Sequence, residues 1–299
     1  MTPTFNKMNT PAKLRGKTMQ VLNIVLLHNQ KPESYIGLFK RLVQEDYMIK
    51  LRGENFIELL GFKKMESWDM YEGTIVTYTG IRKNAWFNQK SKEIETHESN
   101  EDLFANTKKV IFYFIPQRHK LCLLSGSEIT IQNIKKFIDE ACLRLLGAEQ
   151  VHTNYVTSKD EIEDAYKDLN INRVRLTINY SNKDYTEGFA KTFDNLAKDG
   201  NVALINMDIT SADNENLNMD KGGMVDSLLN ITTTLGNGSA DITGYQIIQP
   251  KKKGKKTKRK NRRIRTSDYI EKIKIGFNSL QGLPTAVYNE IMTRFKSDE

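Results

Sequence analysis

The chain has 299 residues, 38% of them hydrophobic and 27% charged, with a formal net charge of +8, which describes a well-solvated globular protein large enough for one large or two moderate domains. No apolar run approaches the roughly 20 residues that cross a bilayer, and MTPTFNKMNTPAKLRGK at the start has no apolar stretch leading to a small-residue cleavage site, so a cytoplasmic chain without membrane insertion is expected. Two cysteines, Cys122 and Cys142, and four histidines without CxxC or HxxxH spacing give no basis for a disulfide framework or a zinc site.

Residues 1–18 read as a flexible arm. MQVLNIVLL (19–27) is a nearly continuous apolar run of strand length. Pro32 stands where a helix would begin, and Tyr35, Leu38, Phe39 and Leu42 recur at helical spacing, which predicts a helix over 33–45. Short strands follow at 47–53, 56–62 and 74–81. The polar stretch NQKSKEIETHESNED (88–102) lacks apolar periodicity and is read as an exposed connection and domain boundary.

VIFYFI and HKLCLL, separated by PQR, predict a hairpin over 110–124. On it, His119 is expected to be an exposed strand residue between Arg118 and Lys120. A helix follows, with Ser125 and Glu128 at capping-box spacing. Its apolar stripe is Ile131, Ile134, Ile138, Cys142 and Leu145, and Gly147 is its stop. The stripe makes Cys142 a small core residue. Next come a strand at 149–155, a charged helix at 158–169, the alternating strand RVRLTINY (173–180), a helix at 184–198, a strand at 202–209, a helix at 223–235 and strands at 239–248 and 270–277.

Between those last two strands lies KKKGKKTKRKNRRIR. It places eleven cations, Lys251, Lys252, Lys253, Lys255, Lys256, Lys258, Arg259, Lys260, Arg262, Arg263 and Arg265, in fifteen positions without an acid. Setting those eleven aside leaves 34 of the 45 Lys and Arg against 37 Asp and Glu, a net of −3, so the basicity is local. Mutually repelling cations do not pack, and the segment is read as a long loop anchored at both ends by adjacent strands. Such a loop would neutralise phosphates and release counterions, giving affinity that does not depend on base sequence. A solvated or protein-binding loop and a nuclear import signal are the competing readings.

Motifs for chemistry are few. Gly236-x-Gly238 precedes a strand, where a dinucleotide fold needs a helix, and no P-loop run is present. Lys221, Gly222 and Gly223 precede a helix and could offer amides to an anion. No E-x-K or D-x-K triplet suggests a carboxylate-and-lysine nuclease. The acidic stretch 212–220 lacks the glycine and terminal glutamate of a calcium loop, and no G-x-S-x-G elbow occurs.

The stretches VIFYFIPQRHKLCLL, SEITIQNIKKFIDEACLRLLG, NRVRLTINYSN and IRTSDYIEKIKIGF resemble, in this order, an uncharacterised bacterial family known by a domain-of-unknown-function label. The likeness covers most of the chain after about residue 19. In general character the chain is more distantly similar to sensor subunits of phage-exclusion systems of the Rex and Kiwa kinds. The resemblance implies a histidine-bearing hairpin, a long amphipathic helix, and a final strand pair enclosing a variable loop. It assigns no catalytic residue.

The expected fold is α+β: mixed or antiparallel sheets with packed amphipathic helices in two lobes. Its parts are the arm 1–18, an N-terminal α+β domain over 19–105, and a C-terminal α+β domain over 106–299 with the basic loop at 250–266. The expected function is binding of nucleic acid, DNA ahead of RNA, without sequence preference, as a sensor or regulator in antiphage defence. The alternatives are an interaction protein whose basic loop engages an acidic protein partner, and a metal-dependent nuclease with no recognisable motif. No catalytic residue, metal ligand or cofactor is assigned, and a partner subunit or homo-oligomer is left open.

Overall fold

The computed structural model describes residues 15–27, 29–80, 86–95, 104–148, 150–179, 204–212, 215–234, 236–248 and 258–295, with isolated positions between 192 and 202. The first apolar run forms strand β1 (Arg15–Leu26), and Pro32 opens helix α1 (Pro32–Gln44), which buries Tyr35, Leu38, Phe39 and Leu42 as the helical spacing predicts. Strands β2 (Ile49–Lys50), β3 (Asn55–Lys64) and β4 (Tyr71–Gly80) follow. A short ladder joins β5 (Trp86–Phe87), just before the stretch read as a connection, to β6 (Ile94–Glu95) inside it. Strands β7 (Phe104–Ile115) and β8 (Lys120–Leu124) make the expected hairpin, and helix α2 (Ile131–Leu146) carries the expected stripe to Gly147, which turns left-handed at φ 68°.

Beyond it lie β9 (Val151–Tyr155), α3 (Lys159–Tyr166), β10 (Asn170–Asn179), β11 (Leu204–Thr210), α4 (Met224–Thr233), β12 (Gly238–Ile248), β13 (Lys258–Arg265), β14 (Ile273–Phe277) and α5 (Leu283–Arg294). The helix read at 184–198 lies outside the described residues, apart from the isolated positions 192 and 195.

The fold is α+β. A large antiparallel sheet runs β14-β1-β8-β7-β4-β3-β2, with β9 also pairing β1, and a smaller one runs β11-β10-β12-β13. The large sheet is covered on both faces. Leu22, Ile24, Phe112, Phe114, Leu121 and Leu123 meet α1 and α2, while Met19, Val21, Tyr113, Ile115 and Cys122 meet Leu283, Val287 and Ile291 of α5. Successive side chains of a strand point to opposite faces, so a strand buried on both reads as an unbroken apolar run. Among the described residues the small sheet has one covered face: Val174, Leu176, Ile178, Ala240, Ile242 and Ile264 pack on Val225, Leu228 and Leu229 of α4 and Ile162 of α3.

Buried polar groups join the two sheets. Asn23 on β1 donates to the carbonyl of Gly236 at 3.1 Å and to Asn237, and the fully buried Lys120 donates to Asn23 Oδ1 at 2.8 Å while its ammonium lies 4.8 Å from the Phe295 ring. The large sheet is continuous across residue 105, since the boundary read at 105/106 falls inside β7, which pairs β4 on one side and β8 on the other.

Four readings are corrected. Arg15–Thr18 belong to no arm, because they pair with Phe277–Lys274 in β1 and β14. The cap of α2 is Thr130, whose hydroxyl accepts from the Asn133 amide; Gly126 at φ 83° turns the chain first, so Ser125 comes too early. His119 sits in the left-handed turn before β8, 5% exposed, with its ring 4.3 Å from that of Tyr35. The strands flanking the basic segment are not neighbours, because β12 lies in the small sheet and β14 in the large one.

Candidate nucleic-acid interface

The basic segment is not a loop throughout. Lys251, Lys252, Lys253, Lys255 and Lys256 lie outside the described residues. Lys258, Arg259, Lys260, Arg262, Arg263 and Arg265 stand on β13, paired along its length with β12. One apolar residue, Ile264, anchors the strand by meeting Ile242 across the covered face. The ladder with β12 satisfies the inner side of this edge strand's backbone and holds it extended, so the cations need no burial of their own.

Pairing and alternation sort the cations. Arg265 stands opposite Asp241, Arg263 opposite Thr243, and Arg259 opposite Ile247, all on the uncovered face. Lys258, Lys260 and Arg262 point the other way. Pairing of β10 with β12 ends at Tyr245, whereas β12 and β13 stay paired as far as Ile248 and Lys258. The end of the hairpin therefore outruns its neighbour as a two-stranded ribbon, with cations on both faces and Ile247 and Ile248 exposed.

The uncovered face holds two arginines that sequence reasoning missed, Arg173 and Arg175 on β10. A straight row across the sheet reads Asp208, Arg175, Asp241, Arg265, and beside it run Thr210, Arg173, Thr243, Arg263. Each aspartate holds two guanidinium groups. Arg173 grips Asp208 with two nitrogens, its Nε at 2.7 Å, and Arg175 Nε reaches the same carboxylate at 3.3 Å. Arg263 Nε reaches Asp241 at 3.3 Å and also bonds it through Nη2, while Arg265 lies 4.0 Å away. The Arg173 guanidinium, with help from Arg175, holds the Asp208 carboxyl down to about 2. With Arg259, which lies 4.7 Å over the Tyr245 ring, the face carries five arginines and two aspartates.

The carboxylates fix the planes of these guanidinium groups and leave outward N–H groups for a ligand. The signal in the sequence was the pair RVR (173–175) and RIR (263–265), in which arginines flank one apolar residue. That spacing sets both arginines on the face opposite the core.

The other candidates resolve into structure. The Gly222 amide donates to Asp226 at 2.8 Å, so the position offered to an outside anion is filled by the protein's own carboxylate. Gly236, at φ 67°, is a turn before β12. Both cysteines are buried in the large-sheet cores, and burial pushes the Cys142 thiol up to about 12. Among the described residues no group of three or more His, Cys, Asp or Glu is placed to hold a metal, and no helix is long and apolar enough to cross a membrane.

Residues 17–292 match the family described as Domain of unknown function (DUF4747), and the chain belongs to it. No curated protein matches the chain.

Proposed function

We propose that this member of the DUF4747 family binds nucleic acid without reading its sequence, through the β12–β13 ribbon and the arginine face that continues it across the small sheet. The observation that carries the reading is the position of Arg173 and Arg175. Cations on an edge strand alone would serve to block unwanted strand pairing. Strand β10 is paired on both sides and has no edge to protect, yet it carries two arginines in register with those of β13.

Arginines held in fixed planes suit phosphate oxygens, and a surface that contacts phosphates alone positions a ligand without specifying bases. In antiphage defence, the setting that the likeness to phage-exclusion sensors implies, such a surface would detect foreign nucleic acid of any sequence. The test is binding by Arg173→Ala with Arg175→Ala. Charge-assisted hydrogen bonds contribute roughly 1.5–3 kcal/mol each, so affinity should fall by about tenfold or more for every sequence alike. Unchanged affinity would reduce both arginines to braces for Asp208 and favour an acidic protein as the partner of the ribbon.

A further inference from the structure

Between the row Asp208–Arg175–Asp241–Arg265 and the neutral row Asn206–Thr177–Ser239 the uncovered face sinks into an open cavity of about 430 Å³. That volume lies in the range of sites for small organic groups. Its lining mixes guanidinium donors with carboxylate, amide and hydroxyl acceptors, which is poor chemistry for phosphate alone. Asp208 and Asp241 would repel a phosphate pressed against them, but they accept hydrogen bonds from the N–H donors that every unpaired base carries on its edge, the amino groups of A, C and G and the imino group of G, T and U. Along the ribbon, the Tyr245 ring under Arg259 and the half-exposed Ile247 offer flat and apolar surface beside the cations. In a duplex the bases are stacked on one another, and their faces cannot reach such a surface.

From this arrangement we infer that the preferred ligand is a single strand of nucleic acid, its phosphates tracked by the arginines, one base stacked at Tyr245 and another seated in the cavity. The inference rests on the nucleic-acid reading above and narrows it. Stacking is compatible with indifference to sequence, because every base has a π-face.

The experiment is fluorescence anisotropy of the full chain with labelled oligo(dT), oligo(U) and a mixed-sequence DNA duplex. Each is about 20 residues long, more than the roughly 4–16 nucleotides a single-strand-binding fold covers. The single strands should bind at least about tenfold more tightly than the duplex, and comparison of the dT and U arms tells DNA from RNA. Tyr245→Ala should weaken the single strands by roughly fivefold to a hundredfold, the range set by the loss of one base stack, and leave the duplex unmoved. Should Tyr245→Ala not fold, Tyr245→Leu, which keeps apolar bulk on the strand and removes the ring, should act in the same way. Lys258→Ala with Lys260→Ala should weaken all three ligands. A duplex bound as tightly as the single strands, or a Tyr245→Ala loss equal on both, overturns this inference and leaves the parent reading standing. Absence of binding to all three overturns both.

Discussion

A glycine pair ahead of a helix invites an anion, and in this protein the anion is Asp226. Its carboxylate accepts from the Gly222 amide and from Asn230 Nδ2 at 3.3 Å, and it pairs with Lys159 at 3.0 Å on the neighbouring helix α3. Burial alone would push this carboxyl up. The Gly222 amide and the Lys159 ammonium outweigh it, and the group stays below the ordinary carboxylate range. A depressed folded value means that the ionised form stabilises the fold: the contribution is complete above the unfolded value of about 4 and fades as pH falls through the folded one. Asp226→Asn should therefore cost about 1.5–3 kcal/mol near neutral pH, as expected for hydrogen bonds to a charged group, and the gap to wild type should narrow in urea melts at about pH 3. A gap that ignores pH would show that packing, not charge, is what Asp226 contributes. The helix and the glycines were legible in the sequence, but the occupant of the amides was not, since Lys159 and Asp226 are brought together only by the packing of two helices.

Strand β13 shows why a strand can be invisible in its own residues. Strand recognition relies on alternating apolar positions, and KRKNRRIR has only Ile264 to alternate. Its extended form comes from β12, which offers a full ladder of backbone partners. The reading of a loop therefore failed where charge density concealed a partner-templated edge strand. The apolar runs of β1, β7 and β8 were legible because burial on both faces writes itself into composition. Helix α5 was missed, although Pro284 stands in its first turn, because Ala286, Tyr288 and Met292 spread its apolar residues around the helix beyond Leu283, Val287 and Ile291, and no clean stripe stands out. Replacement of Lys258, Lys260 and Arg262 by threonine should leave the cooperative melt within a few degrees of wild type, since these side chains are exposed and threonine favours strands. Ile264→Ala should instead destabilise by about 2 kcal/mol or more through loss of buried apolar volume. The two differential denaturation curves decide the matter: an unfolded threonine variant, or an Ile264→Ala variant as stable as wild type, would contradict the assignment of faces on β13.

The molecule as a whole sets a strongly basic hairpin on a body of slight negative charge. The large sheet, sealed on both faces, gives rigidity, and the small sheet hangs from it through Asn23, Asn237 and Lys120, with one face left open by the described residues. Such an arrangement confines attraction for a polyanion to one region and orients its approach. The overall α+β class and most elements were legible from residue patterns. The open face was not, because it is assembled from β10, β11, β12 and β13 by register, and no local stretch contains it.

The central claim, that this face and ribbon bind nucleic acid through phosphate contacts, is tested most directly by the salt dependence of affinity for a single-stranded oligonucleotide. If about five cations meet phosphates at once, the logarithm of affinity should fall against the logarithm of salt with a slope of about −3.5, at roughly −0.7 per contact for a single strand. The Arg173→Ala, Arg175→Ala variant should flatten that slope by about 1.4. No binding at about 50 mM salt, where the electrostatic contribution is strong, or a slope near zero, would contradict the account.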